Sequence, residues 1–151
     1  MSERNLTLLT DLYQLTMMQG YFKENRTDTV VFDMFYRSNP SGSGYAIAAG
    51  LEQAMDYLEN LKFDDNDIEY LRSKNIFSEG FLEYMRNFKF ECDVWAMPEG
   101  TPVFPKEPMV VVEGPMIQAL MVETMVLLTI KHQSLIATKA NRIVRAAEGR
   151  P

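Results

Sequence analysis

The chain has 151 residues, 46% of them hydrophobic, and its 15 lysines and arginines against 21 aspartates and glutamates give a formal net charge of −6. This suits one ordinary domain with a packed core and argues against general disorder. A nucleic-acid-binding module would need a basic face. No apolar run is long enough for a membrane span, the start lacks a signal-peptide core, and the single cysteine, Cys92, cannot form an internal disulfide. We expect a cytoplasmic protein that binds neither nucleic acid nor membrane.

Residues 11–24 have the pattern of a first helix. The residues at helical spacing on its mostly apolar face are Leu12, Leu15, Met18, Gln19 and Phe22. Thr10 is placed to act as the N-cap, and Asp11 suits the helix dipole in the first turn. Gly20 predicts close packing at that point or an early end of the helix. Tyr13 lies on the neighbouring face, where an aromatic residue is ordinarily core or interface.

Strand signals occur in two regions. Residues 29–37 are rich in β-branched and aromatic residues, and both faces of the predicted strand are partly apolar, so we expect it to be covered on both sides. Turn residues follow at 38–44, and 45–50 is a further candidate strand. Between residues 90 and 113, short strand-like segments are joined by proline and glycine turns, which suggests a small compact β unit.

Helical spacing returns in the middle and at the end of the chain. Residues 51–61, 64–73 and 79–87 predict three helices, the second with N-capping aspartates at its start rather than a calcium loop. From Pro115 the pattern predicts one long helix, or two separated by a kink near residues 131–134, with a stop at Gly149 and Pro151. A helix with this many apolar residues needs more packing partners than the preceding segments supply. We therefore expect the front part of a longer protein.

Few residues are suited to catalysis. His132 lacks a nucleophile partner and companion metal ligands, which favours a packed or capping role. Cys92 lies between Glu91 and Asp93, which would not lower its pKa, and is interpreted as a small core residue. Glu123 lies in an apolar run and would need a partner, for which a basic residue from another segment would serve. We predict no catalytic residue and no metal ligand within this chain.

Basic residues offer two places for a phosphate. Arg37 ends the first predicted strand beside a glycine-containing loop, where its guanidinium can bind a phosphate or simply face solvent. The loop itself, Gly42-Ser-Gly44, lacks the lysine of a P-loop and is interpreted as a turn. Lys139, Arg142 and Arg145 share one side of the last helix, either as a solvated face or as an attraction for a phosphorylated ligand.

Residues 8–17, Leu-Leu-Thr-Asp-Leu-Tyr-Gln-Leu-Thr-Met, closely resemble the opening motif of nicotinate phosphoribosyltransferases. Further stretches that match the same family are residues 35–40, 44–53, 98–103, 113–115 and 123–142. No one motif is decisive, but their order and spacing are specific. The resemblance runs from Leu8 to Pro151.

The resemblance implies an α+β fold in two parts. Residues 1–114 would form the N-terminal α/β domain of a type II phosphoribosyltransferase, hammerhead-like and with a small β unit. Residues 115–151 would form the helical start of the phosphoribosyltransferase barrel. Members of the family are much longer than this chain and usually form dimers with sites shared between subunits. The resemblance therefore implies a truncated chain and a homodimer.

The resemblance also implies a reaction. The family forms nicotinate mononucleotide from nicotinate and phosphoribosyl pyrophosphate in NAD biosynthesis, with ATP and Mg²⁺ used by the full-length enzyme and neither bound by this chain alone. Tyr13 would stack on the pyridine ring, often in the partner subunit's site, and Arg37 would lie near the phosphoribosyl phosphates. The family's phosphorylated histidine comes after Pro151, and His132 does not match it. We therefore expect this chain alone to be inactive.

Two other hypotheses remain open. The segment 98–108 is faintly similar to the hairpin of a biotin or lipoyl carrier, although Lys106 lacks the usual sequence context of the attachment lysine. A sister phosphoribosyltransferase acting on nicotinamide or quinolinate is the second alternative. The substrate-selecting basic residues that would separate it from the nicotinate enzyme should follow Pro151.

Overall fold

A computed structural model of the chain describes residues 5–39 and 42–150. The helices are α1 (Leu12–Lys23), α2 (Leu51–Glu59), α3 (Asp65–Ser73), α4 (Glu79–Arg86), α5 (Met116–Met121) and α6 (Glu123–Ala147). The strands are β1 (Thr29–Met34), β2 (Ala46–Ile47), β3 (Asp93–Ala96), β4 (Pro102–Val103) and β5 (Val110–Pro115). The mixed helix and sheet class is confirmed. The predicted turn at 38–44 and the predicted helix stop fall partly on Pro40, Ser41 and Pro151, which lie outside the described residues.

The strands form two small antiparallel sheets. In the larger sheet β5 is central, with β1 on one side and β3 on the other. The smaller sheet pairs β2 with β4. The prediction of one compact β unit between residues 90 and 113 holds for β3 and β5, which pair with each other, but was wrong for β4. Turn chemistry is local, whereas β4 pairs with β2 and β5 also pairs with β1, both more than 50 residues upstream, which no local signal specifies.

β1 is an edge strand and is more open than its composition suggested. Val31 is 56% exposed and Phe32 39% exposed, and Met34 is the one residue of β1 that is buried. Within the described residues the strand is thus not covered on both sides, and that expectation was wrong.

The core lies between the sheets and the helices. α5 packs on α1, β1 and β5, while α6 packs on α2 and β2. The residues with the largest fully buried side chains include Met18, Ile68, Phe81 and Met121. Phe22 of α1 contacts the rings of Phe81 and Tyr84 in α4 at centroid distances of 5.8 and 5.4 Å, which joins these two helices. Among the described residues, no helix combines the length and hydrophobicity of a membrane span.

The start of the described chain is held against α3. Asp64 and Asp67 form the capping box of that helix, which confirms the predicted cap. Asn5 donates from its side-chain amide to Asp67 at 2.6 Å, and the Thr7 hydroxyl donates to the carbonyl of Lys62 at 2.7 Å. These bonds fix the segment that leads into α1.

The C-terminal helical region is broken earlier than predicted. Val122 separates α5 from α6, and α6 is one continuous helix through residues 131–134. Its end matches the expectation, because Glu148 adopts a left-handed conformation and Gly149 follows with φ +81°.

Replacing Gly50 and Gly20 by alanine should change the free energy of unfolding in opposite directions. Gly50 has φ +99°, and an added Cβ would meet Gln133 and the Thr129 carbonyl at 3.0 Å, so Gly50→Ala should destabilise the chain by roughly 2 kcal/mol. Gly20 lies within α1 with nothing within 4 Å of an added Cβ, so Gly20→Ala should stabilise by about 0.5–1 kcal/mol. Urea unfolding midpoints measure both changes. A midpoint for Gly50→Ala at or above that of the parent would contradict the geometry.

Candidate functional site

Tyr13 lies in the first turn of α1 with its ring directed outward. Its side chain is 53% exposed, whereas the next residue, Gln14, is completely buried. Asp11, and not Thr10, occupies the N-cap position, and the Asp11 side chain makes no capping bond. The Thr10 hydroxyl donates instead to the side-chain oxygen of Gln14. The N-cap prediction for Thr10 was therefore wrong.

The buried face of α1 matches the predicted one at Leu15, Met18 and Gln19, but not at Leu12. Leu12 is 57% exposed, and the buried residues of the helix are Gln14, Leu15, Met18 and Gln19. The apolar pattern missed Gln14 because a buried amide is stable only where it finds hydrogen-bond partners, which here come from a distant segment. Gly20 neither packs closely nor ends the helix, since α1 continues to Lys23.

The partners of Gln14 are in the first turn of α6. Its side-chain nitrogen donates to Glu123 Oε2 at 3.0 Å, and its oxygen accepts from the Thr124 hydroxyl at 2.7 Å. The same hydroxyl lies 3.1 Å from Asp11 Oδ2. Glu123 thus has an amide as its partner, not the basic residue that was suggested. Its carboxylate also lies at the N-terminus of a 25-residue helix, where a negative charge is favourable.

The two carboxylates make the surroundings of Tyr13 acidic. The negative charge of Glu123 is the largest cause that raises the pKa of Tyr13 above its ordinary value, followed by partial desolvation and by Asp11. The phenol therefore stays neutral at physiological pH. The ring stands as a neutral aromatic face beside two anions.

Arg37 follows β1 and is exposed. No ion pair links it to another residue within 5–39 and 42–150. Its neighbour Tyr36 is buried and donates its hydroxyl to the carbonyl of Lys131 in α6 at 2.8 Å. The segment that carries Arg37 is thus fixed to α6, the helix to which Gln14, the neighbour of Tyr13, is also bonded. Lys131 and Glu123 are eight residues apart, roughly 12 Å along the helix axis.

Tyr13 and Arg37 lie apart from the larger cavity of the described chain. A cavity of about 520 Å³ opens near the end of α2 and the start of β3, and its walls include Leu58, Lys62, Phe88 and Cys92. Neither candidate residue is part of its lining. Tyr13 is instead exposed on the surface of the described chain.

The remaining candidates are separate from Tyr13. His132 is exposed on α6, so the packed or capping role predicted for it was wrong. Cys92 is half-buried, and burial raises the pKa of its thiol to about 11, helped by Asp93 and Glu91, which supports an unreactive packing residue. In the basic group on α6, Arg145 donates to the Tyr45 hydroxyl at 3.2 Å. No cluster of three or more potential metal ligands occurs among the described residues.

Comparison with known proteins gives a consistent family. A profile described as nicotinate phosphoribosyltransferase (NAPRTase) N-terminal domain matches residues 8–131. The chain is 48% identical over 144 residues to nicotinate phosphoribosyltransferase pncB2 of Mycobacterium tuberculosis, covering 95% of this chain and 31% of that protein. It therefore spans less than a third of that relative.

Solved structures agree with the sequence relatives. The crystal structure of human nicotinic acid phosphoribosyltransferase matches with a TM-score of 0.86 and 36% identity, covering 95% of this chain and 29% of that chain. The structure of a nicotinate-nucleotide pyrophosphorylase from Pyrococcus furiosus matches with a TM-score of 0.74 and 25% identity, covering 100% of this chain and 32% of that chain. Since the profile covers most of the chain, including the Tyr13 helix and the start of α6, the chain belongs to the nicotinate phosphoribosyltransferase family through its N-terminal domain.

Proposed function

We propose that the protein to which this chain contributes forms nicotinate mononucleotide from nicotinate and phosphoribosyl pyrophosphate, coupled to ATP hydrolysis, in NAD biosynthesis. The observation that carries the proposal is the family match over residues 8–131, which includes an outward-facing Tyr13 held on a buried polar anchor. An exposed aromatic ring whose neighbouring residue is hydrogen-bonded to a second helix is suited to stacking against a flat ligand.

In this proposal Tyr13 binds the pyridine ring of nicotinate. A stacked aromatic pair contributes about 0.5–1.5 kcal/mol beyond burial, which is enough to orient a small substrate. The ring is 53% exposed and lies outside the 520 Å³ cavity, so in this proposal the opposite wall comes from a partner subunit or from further chain. A homodimer with shared sites satisfies this requirement.

Arg37 would bind the phosphate end of the second substrate. Its guanidinium is exposed and free of ion pairs among the described residues, so it is available to an anion. The segments that carry Tyr13 and Arg37 are anchored to α6 at Glu123 and Lys131, two points roughly 12 Å apart along its axis. Arg37 would act by positioning the charged group.

The described residues do not fit a site for the proposed cofactors. No group of potential metal ligands occurs in the described part, and the Gly42-Ser-Gly44 stretch lacks the lysine of a nucleotide-binding loop. ATP and Mg²⁺ would therefore be held elsewhere in the full-length enzyme. We also infer that residues 115–151, which include α6, form the helical start of the barrel domain. We further infer that the full-length enzyme is cytoplasmic.

The alternatives are less well supported. The strands that flank Lys106, β4 and β5, lie in different sheets, so they do not form the hairpin that a biotin or lipoyl carrier needs. A sister phosphoribosyltransferase is disfavoured by identity, which is 25% to the pyrophosphorylase structure and 48% to the nicotinate enzyme of Mycobacterium tuberculosis.

We expect this chain alone to make no nicotinate mononucleotide, and a polypeptide of full family length that carries it to do so. The reason is that the described residues offer a stacking ring and an arginine but no reaction centre. Product formation from phosphoribosyl pyrophosphate, ATP and Mg²⁺ would be measured with nicotinate, nicotinamide and quinolinate in parallel. Robust turnover by the chain alone would refute the fragment hypothesis, and a full-length protein that prefers another substrate would refute the proposed specificity.

Tyr13→Ala in the full-length enzyme should raise the KM for nicotinate about three- to tenfold, which corresponds to the loss of one stacking contact. Tyr70→Ala is a matched control, because Tyr70 is 54% exposed, also on a helix, and its ring contacts Lys74. Its KM should stay within about twofold of the parent value. Equal effects of the two substitutions would remove Tyr13 from the site.

A further inference from the structure

Gln14 is a buried connector between two helix starts. It is fully buried, and its side chain forms hydrogen bonds with Thr10, Glu123 and Thr124. Its sequence separation from the two α6 residues is 109 and 110 positions. Both lone pairs of its oxygen and one of its two N–H bonds are thereby used. A side chain so thoroughly bonded has one orientation.

The first turn of α1 depends on this connector. The N-cap residue Asp11 supplies no side-chain hydrogen bond to the helix, and Leu12 and Tyr13 are both more than half exposed. Capping therefore does not protect that turn from fraying, and among its residues Leu15 provides the buried apolar packing. The polar contacts that hold this turn to α6 are those of Gln14, whose oxygen accepts the single hydroxyl proton of Thr124.

We propose that Gln14, through Glu123 and Thr124, is a positioning residue that fixes the Tyr13 ring relative to α6 for stacking against the pyridine substrate. The proposal rests on the proposed function. The connector sets where the ring stands, because Gln14 follows Tyr13 directly in the helix and its side chain is bonded to the first turn of α6. Glu123 contributes as the hydrogen-bond acceptor at the α6 end.

The test uses Gln14→Leu in a full-length enzyme that carries this chain. Leucine removes the polar contacts at similar size, so the KM for nicotinate should rise about three- to tenfold, the range expected for a stacking contact. Because Gln14 acts through the ring, the same substitution should have no further effect on this KM in a Tyr13→Ala background. An additive increase in the double variant would overturn the proposal.

Gln19→Leu is the matched control. Gln19 is also a buried glutamine of α1, and its amide is bonded to Ile76 and Ser78, in the connection between α3 and α4, at 2.9 and 2.6 Å. Its loss should reduce stability in a similar way but leave the KM for nicotinate within about twofold. An equal KM increase in both variants would show a merely structural role and overturn the proposal.

Substitutions at Glu123 keep the test decisive if Gln14→Leu does not fold. Glu123→Ala removes the acceptor and should raise the KM for nicotinate, whereas Glu123→Gln keeps an acceptor oxygen and should leave it near the parent value. Glu123→Gln should also lower the pKa of Tyr13, since it removes the negative charge that opposes the phenolate; ultraviolet titration against a Tyr13→Phe variant measures this. Equal KM increases for Ala and Gln at position 123 would overturn the proposed connector.

Should Tyr13→Ala leave the KM unchanged in the same enzyme, both the stacking role and the connector fail. Should Tyr13→Ala raise it while Gln14→Leu and Glu123→Ala do not, the stacking role stands and the connector alone is refuted. The two proposals are therefore separable with one set of purified variants.

Discussion

The structure depends on buried backbone groups that α6 satisfies with its side chains. β2 has only two residues and pairs with β4 on one edge. On the side of α6, Ile47 donates its N–H to the Thr138 hydroxyl at 2.8 Å, and Ala49 donates to the Ser134 hydroxyl at 3.0 Å. Ser134 and Thr138 are themselves buried, so without these bonds several polar groups would be left unpaired in the interior. Hydrogen bonds from Ser134 and Thr138 of α6 therefore fix the position of the segment that contains Ile47 and Ala49.

The same helix fixes the two candidate binding residues. Gln14 bonds to its first turn, and Tyr36 bonds to Lys131 two turns further along. Tyr13 and Arg37 each lie next to one of these anchoring residues in the sequence. Their exposed side chains are thus mounted on one rigid element even though they come from different segments. A site whose remaining walls are supplied by other polypeptide needs this property, because a mobile ring would lose its orientation on binding.

Local features of the fold were predictable from the sequence, and its long-range pairings were not. The Asp64 cap, the helical spacing of α2 to α4 and the stop after α6 rest on short-range chemistry, and all were confirmed. The burial of Gln14 and the pairing of β4 with β2 depend on residues far away in sequence, which a single chain does not reveal. The Tyr13 motif could be recognised from its resemblance to a family. Its role could not be derived from residue type, since an exposed aromatic on a helix is also compatible with an interface.

The partner of Glu123 has an electrostatic consequence. A basic partner would have neutralised this carboxylate, whereas the amide of Gln14 holds it in place and leaves its charge. The charge acts on Tyr13, whose pKa it raises. If the ring stacks on nicotinate as proposed, the pyridine nitrogen gains positive charge as it bonds to the ribose carbon. An aromatic face favours a positive charge, so the stacking interaction would be stronger in the transition state than with the free substrate. In that proposal the amide of Gln14 would hold the ring in place for stacking, a task that needs hydrogen bonds and no countercharge.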